Sequence, residues 1–315
     1  MMNEVTCLGI LVADVVGKPI DTYPERGRLQ LVERMELHSG GCAANTGVSL
    51  AKIGVRTAVI GKVGNDGFGD FLVQVLQRHG IDTRGVKRDE REATSATMVM
   101  VHSDGERSFI HYIGANAALR LEDVDMEIVQ QGKVLHVAGA LVMPGIDGDP
   151  TAHLLRQAKE KGVLTSFDTV WNTSSGGMNT VKPCLPYIDY MIPSIEEAKM
   201  LTGKEDPEDI AQVFLDHGVK VVGLKMGERG CYIRTADIRL SIPRYQVQAV
   251  DALGAGDAFA AGFLTGVVKG WDLEQTGRFA NAVGALCVTA LGATTGVRSL
   301  EETLQFMQTT PMASG

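Results

Sequence analysis

Apolar and polar positions along this chain follow two spacings that alternate with each other. Residues 5–12 are a nearly unbroken apolar run, the pattern of a strand buried on both faces. Residues 40–54 then read as a helix of small and apolar residues that opens at Gly40-Gly41 and is capped by Gly54. Residues 57–63 predict a strand, and Gly64-Asn-Asp-Gly-Phe-Gly-Asp70 a structural turn that opens a helix to His79. From residue 133 the alternation becomes regular. Strands are predicted over 134–138, 163–167, 187–192 and 221–225, with helices over 150–161 and 193–203. Residues 273–290 predict the last long helix, and residues 291–296 a loop. Strands joined by crossover helices imply an α/β domain built on a mainly parallel sheet covered on both faces.

Two segments break this rhythm. Residues 17–37 carry Pro19, Pro24 and Gly27 and then alternate from Leu29 to Leu37. In residues 93–113, two strand-like runs (97–101 and 107–112) flank Ser103-Asp-Gly-Glu106, and Asp-Gly between such runs signals a hairpin. The two segments predict a small sheet, 17–37 with 93–113, set apart from a core of 1–16, 38–92 and 114–315. A sheet face carrying Met98, Met100 and Phe109 favours pairing of subunits.

The densest chemistry lies in Asp251-Ala-Leu-Gly-Ala-Gly-Asp-Ala-Phe259. It follows an alternating run, 245–250, that predicts a strand, and it opens an apolar helix of roughly fourteen residues. Gly254 and Gly256 leave backbone amides uncovered at the positive end of a helix dipole, a place suited to an anion. Asp257, in the first turn, stands where a carboxylate can take a proton from a hydroxyl while the amides stabilise phosphate charge. The plainer reading of the turn alone is a helix start with an Asp in it.

Composition narrows the function classes. The chain has 315 residues, 44% hydrophobic and 22% charged, which suits one α/β domain with an insert, or two domains. A net charge of −8 argues against nucleic acid as a partner but leaves room for a local basic pocket. Cys7, Cys42, Cys184, Cys231 and Cys287 are far apart and form no Cys-x-x-Cys, the pattern of free thiols in a reducing compartment. The start Met-Met-Asn-Glu-Val lacks the basic region of a signal peptide, and the first apolar run is interrupted at Asp14, so the expectation is a cytoplasmic protein without a membrane span. No Gly-x-x-x-x-Gly-Lys-Ser/Thr loop is present, no Gly-x-Gly-x-x-Gly follows the first strand, and no His-Glu-x-x-His or nucleophile elbow occurs.

Asp251 to Phe259 resembles the C-terminal signature of the ribokinase-like (phosphofructokinase-B type) carbohydrate kinases. Gly40, Gly41 and Asn45 resemble the family's N-terminal Gly-Gly…Asn motif, in the right order some two hundred residues earlier. The resemblance spans nearly the whole chain. It implies an α/β, ribokinase-like three-layer sandwich with a mainly parallel central sheet and a small β-sheet lid. It implies an ATP-dependent sugar kinase that transfers the γ-phosphate to a hydroxyl of a small unphosphorylated sugar of the ribose, fructose or keto-deoxy sugar acid type. Asp257 would be the base, with Gly254, Ala255 and Gly256 as the anion hole. Asp14, Gly40, Gly41 and Asn45 would hold the sugar. Lys225, Gly227 and Gly230 would meet the nucleotide phosphates, and Asn281 and the 291–296 loop the adenine. Glu197 would organise Mg2+ through water, although Ser194 and Glu197 also read as a capping box. Asp251 would bind a monovalent cation such as K+, or only cap the turn. The lid would pair two subunits into a homodimer.

The chain departs from the family in three places. Ala252 and Leu253 stand where Thr is usual, and Ser194 replaces the Asn of an Asn-x-x-Glu motif. Asp168-Thr-Val-Trp-Asn172 lacks the Arg of the usual Asp-Pro-Asn…Arg form, which argues against a phosphorylated sugar. Trp171 reads equally as a sugar platform or core filling, and acceptor choice is expected near Met143, Trp171 and Tyr112. A nucleoside kinase of the same superfamily and a non-catalytic sugar-binding regulatory protein are the alternatives.

Overall fold

The computed structural model describes residues 3–313. Its strands are β1 (Val5–Gly9), β2 (Val12–Lys18), β3 (Arg34–Gly40), β4 (Thr57–Gly64), β5 (Asp82–Asp89), β6 (Ala96–Val101), β7 (Arg107–Tyr112), β8 (Val134–Ala140), β9 (Leu164–Thr169), β10 (Tyr190–Met191), β11 (Val221–Lys225), β12 (Cys231–Arg234) and β13 (Arg239–Ile242). The helices are α1 (Cys42–Ile53), α2 (Gly67–Arg78), α3 (Met126–Gln130), α4 (Asp149–Glu160), α5 (Met178–Val181), α6 (Ile195–Thr202), α7 (Pro207–Asp216), α8 (Ala255–Lys269), α9 (Leu273–Cys287) and α10 (Leu300–Thr309). Nine strands form one sheet in the order β13-β12-β11-β10-β9-β8-β1-β4-β5. From β11 to β5 all neighbours are parallel, and β12 and β13 add an antiparallel edge.

Successive side chains leave opposite faces of a strand, so the apolar run in β1 feeds two cores. Val5 and Cys7 pack with Val48, Leu72, Phe263 and Phe279 of α1, α2, α8 and α9. Leu8 packs into the layer of α4, α6 and α7, with Leu154, Ala198 and Phe214. The result is the expected three-layer α/β arrangement with helices on both faces of the sheet.

The first strand departs from its sequence reading. The apolar run 5–12 is not one strand; the chain leaves the large sheet after Gly9 and enters a second sheet at Val12. At the crossing, Asn116 donates from Nδ2 to Leu11 O at 3.0 Å and accepts Leu11 N–H at 3.1 Å, replacing the sheet bonds that Leu11 gives up. Asp14 therefore lies inside a strand of the small sheet, not in a turn beyond β1.

The small sheet has the order β3-β2-β6-β7, with β2 and β6 parallel and the outer pairs antiparallel. Its register sorts side chains into two faces. One face carries His38, Asp14, Thr97 and His111 in a row, then Glu36, Val16, Val99 and Phe109, then Arg34, Lys18, Val101 and Arg107. Leu37, Val15, Met98 and Ile110 share the other face. The apolar patch expected from Met98, Met100 and Phe109 is thus corrected. Phe109 stands opposite Val99 and on the other face from Met98, and Met100 is buried. The exposed apolar residues of the outer face are Met35, Leu37, Met98 and Ile110.

Three other elements differ. Residues 245–250 form no strand; only Tyr245 bridges to Met312, and the alternation instead seats Tyr245 and Val247 on Ala282 and Ala285 of α9. Residues 187–192 keep two strand residues, because a 3-10 turn with Pro186 near its start occupies Leu185–Tyr187. The helix from Leu273 is not the last, since α10 follows with its own Ser299–Glu302 capping box.

The turn at 64–70 joins the two sheets. Asp66 caps α2 by accepting Gly69 N–H at 2.9 Å, and it also takes Thr94 N–H and Thr94 Oγ1–H, each at 2.7 Å, at the root of β6. Thr94 Oγ1 in turn accepts Gly64 N–H at 2.8 Å. Asp66→Ala should cost about 2 kcal/mol of stability, read as a lower urea midpoint, with Asp66→Asn recovering part of the loss.

Candidate active site

The start of α8 is fixed by a residue that only glycine suits. Gly254 is the N-cap with φ +76°, and a Cβ there would lie 2.3 Å from Ala293 O. The Ala255 amide donates to Ala252 O at 3.2 Å. The amides of Gly254, Gly256 and Asp257 have no protein acceptor among the described residues, so they stand open at the positive end of a fifteen-residue helix.

Asp257 follows in the first turn. Its Oδ2 accepts Asn45 Nδ2–H at 2.9 Å. Asp257 lines the larger of the two cavities that flank the start of α8, and burial pushes its pKa above the ordinary range. Asn45, the Lys225 ammonium and the Cys42 thiol oppose that rise, and Glu197 adds to it. Asn45 is 6% exposed, and its Oδ1 is a buried acceptor with no donor among the described residues. The glycines ahead of α1 are required sterically. A Cβ on Gly40 would lie 2.1 Å from Asp14 Oδ2, and one on Gly41, at φ +89°, 2.4 Å from Ile10 O. Asp14 is thereby packed under the start of α1, and burial pushes its carboxyl up to about 6 against the pull of Thr97 and His38.

Lys225, at the end of β11, reaches back to the same floor. Its Nζ lies 2.6 Å from Asp168 Oδ2, at the end of β9. Burial raises Asp168 and by itself would lower Lys225. The surrounding carboxylates of Asp168, Glu197 and Asp257 outweigh that and keep the ammonium charged. Glu197 Oε2 accepts Ser194 N–H at 2.9 Å and Thr169 Oγ1–H at 3.2 Å, so the capping box is formed. No group of three or more His, Cys, Asp or Glu residues among the described residues is placed to hold a metal ion directly. Glu197 Oε1 has no protein partner among them, which fits a magnesium ion held through its water shell.

Two cavities flank the turn that opens α8, and the larger of them reaches this floor. One, of about 530 Å³, is lined by Glu197, Lys225, Gly227, Gly230, Asn281 and the turn Gly254–Asp257. There Asn281 spends its amide hydrogens on Ile242 O and Pro243 O, at 3.0 and 3.1 Å. The other, of about 290 Å³, lies between the polar face of the small sheet and the loop at 291–295, with Asp14, Lys18, Arg107 and Asp251 in its wall. Asp14 and Asp251 line the smaller cavity and Glu197, Lys225, Gly227, Gly230, Asn281 and residues 254–257 the larger; Gly40 packs on Asp14 and Asn45 on Asp257 without lining either, and Trp171, Tyr112 and Met143 line neither. Asp251 does not face the larger one. Its carboxylate accepts Leu253 N–H at 2.9 Å and Gly292 N–H at 2.8 Å, and it pairs with Arg107 at 3.0 Å.

Sequence reasoning missed Asp168, Arg107 and Cys42 as site residues. Asp168 carried a usable signal, a carboxylate at the C-terminal end of a parallel strand. Arg107 carried none, because its partner lies far downstream. Trp171 is 54% exposed and so fills no core, whereas Met143 is fully buried and lines neither cavity.

A family model described as pfkB family carbohydrate kinase matches residues 2–300. A probable fructokinase-5 of Arabidopsis thaliana is 31% identical over 295 residues, which is 87% of this chain and 90% of that protein. The structure of an Arabidopsis thaliana ribokinase complexed with ribose and ATP superposes with a TM-score of 0.85 at 28% identity, covering 98% of this chain and 99% of that one. An E. coli protein described as a ribokinase II, solved with ATP and Mg2+, gives a TM-score of 0.85 at 27% identity over the same shares. No helix among the described residues is long and apolar enough to cross a membrane.

The Lys225–Asp168 pair yields a stability prediction. Lys225→Met leaves a buried carboxylate without its cation and should cost about 3–5 kcal/mol. Adding Asp168→Leu should return much of that loss in the same guanidinium titration.

Proposed function

The chain belongs to the pfkB family of carbohydrate kinases, and on that premise we propose that it phosphorylates a hydroxyl of a small unphosphorylated sugar with ATP. As a carbohydrate kinase it is a phosphotransferase with an alcohol group as acceptor. The observation that carries the finer reading is the position of Asp257. It is held by Asn45, it lies beside the open amides of α8 and within reach of the Lys225 field, and it lines the larger cavity.

In this reading the larger cavity takes ATP and the smaller one the sugar. Asp14, the Gly40-Gly41 backbone and the free Oδ1 of Asn45 hold hydroxyls of the acceptor. Asp257 accepts the proton as the hydroxyl oxygen attacks the γ-phosphorus in line. The amides of Gly254, Ala255 and Gly256 stabilise the transferring group, the Ala255 amide giving up its bond to Ala252, and Lys225 supports the phosphates. No covalent enzyme intermediate is required, because positioning and charge stabilisation do the work. Mg2+, organised through water by Glu197, would neutralise charge on the triphosphate. Residues 17–37 and 93–113 act as a lid that excludes water from the transfer. The outer face of that lid, with Met35, Leu37, Met98 and Ile110 exposed, pairs two subunits. A monomeric mass by light scattering at micromolar concentration would refute the pairing.

The deciding experiment is ADP release with Mg2+ and ATP over unphosphorylated sugars, sugar acids, sugar phosphates and nucleosides, with and without K+. An unphosphorylated sugar should give the strongest signal. Asp257→Asn should lower kcat by about 10²- to 10⁴-fold with an unchanged melting curve. The base works only when deprotonated and its pKa is raised, so kcat/KM should fall on acidification above the usual carboxylate range. Near-normal turnover of the Asn variant removes Asp257 from the role of base.

A further inference from the structure

Arg107 joins the small sheet to the turn that carries the open amides, and nothing in the proposed chemistry yet uses it. It stands in the outermost row of the polar face, after Arg34, Lys18 and Val101. Of the three cations in that row, Arg34 is taken by Glu36 on its own strand, and Lys18 has no acid partner among the described residues. Arg107 alone crosses the cavity to the α/β body, where it meets Asp251 at 3.0 Å.

The pair is shielded: the side chains are 24% and 3% exposed. An ion pair so placed is fixed in geometry and is costly to break on one side only. Asp251 spends the rest of its capacity on Leu253 N–H and Gly292 N–H. Those amides belong to two loops. One runs directly into Gly254 and the start of α8. The other contains Ala293, against which Gly254 is packed without room for a Cβ. Asp251 is therefore the pin between the amide turn and the loop behind it, and Arg107 is the counter-charge that holds the pin from the lid.

We propose that Arg107 is a positioning residue for phosphoryl transfer: by holding Asp251 from β7, it makes the geometry of the Gly254–Asp257 turn depend on the lid being in place. This rests on the kinase reading above and adds to it. The consequence is chemical. When the lid is away, the turn loses its counter-charge and is poorly set for transfer to water. When the lid is closed over an acceptor, Arg107 sets the turn for transfer to the hydroxyl. ATP and sugar are thus coupled through one guanidinium that touches neither reacting atom.

The test compares full-length wild type, Arg107→Ala, Arg107→Lys and Asp251→Asn. It uses the acceptor found active in the ADP-release panel, and it measures hydrogen exchange at the Leu253 and Gly292 amides. Arg107→Ala should lower kcat about 10- to 100-fold, as expected for a misplaced transfer geometry, with the KM for ATP changed less than about threefold. ADP formed per acceptor phosphorylated should rise above one, and both amides should exchange faster. Arg107→Lys should restore part of each effect, since it returns charge without the planar fork. A kcat and coupling ratio like wild type in Arg107→Ala overturn the proposal. So does a loss of kcat that follows only a loss of folded protein, with exchange at the two amides unchanged. If wild type phosphorylates no acceptor in the panel, the kinase reading fails. The exchange data then decide by themselves whether Arg107 holds the turn.

Discussion

One ammonium among three carboxylates sets the terms for the rest of the molecule. Lys225 lies against Asp168 and within the field of Glu197 and Asp257, on a floor formed where β9, β11, α1 and α8 converge. Left as bare charges, this cluster would oppose folding, because each ion loses its water. Every acid is instead given a particular solution. Asp168 has the lysine itself. Glu197 has a backbone amide and the Thr169 hydroxyl. Asp257 has Asn45, the weaker thiol of Cys42 and the field of Lys225 against a burial that raises it, while Asp168, pushed up to about 7, is raised by burial in spite of its lysine. Asp168 is tied to the lysine by a direct ion pair, whereas Asp257 has a neutral amide for a partner and stands beside the open amides of α8, the place where a proton acceptor is of use.

The large sheet makes this convergence possible. Parallel strands direct their C-terminal ends to one edge, so Asp168 and Lys225 arrive together although they are far apart in sequence. The helices α1 and α8 bring their N-termini to the same edge, which sets positive backbone ends over a floor rich in acid. The glycine pair at 40 and 41 and the glycine at 254 let those helix starts approach Asp14, Ile10 and Ala293 to distances that any side chain would prevent.

Much of this was legible in the sequence, and the missing parts share a cause. The glycine turn at 254–256, the helix-opening turn at 64–70, the cap at Ser194 and the Asp-Gly hairpin are local signals, each set by a few neighbouring residues, and each appears in the fold. The break between β1 and β2 was not legible. Residues 5–12 are apolar throughout, so periodicity carries no mark of where the chain changes sheets; the decision is made by Asn116, more than a hundred residues away. The alternation at 245–250 misled for a related reason. A period of two records which side chains are buried, and here they are buried on α9 instead of in a sheet. The helix at 300–309 does carry a local signal, because Ser299 and Glu302 form the same box as Ser194 and Glu197.

The small sheet shows how much rests on register. Its period of two separates a polar face, which lines the smaller cavity, from an apolar face turned outward. A slip of one residue in β7 would exchange those faces and turn Arg107 away from the cavity. The hairpin at Asp104-Gly105 therefore does more than reverse the chain. It places Val101 opposite Arg107, and only that pairing brings the guanidinium to Asp251. A two-residue turn signal in the lid thus reaches, through one ion pair and two backbone amides, to the start of α8.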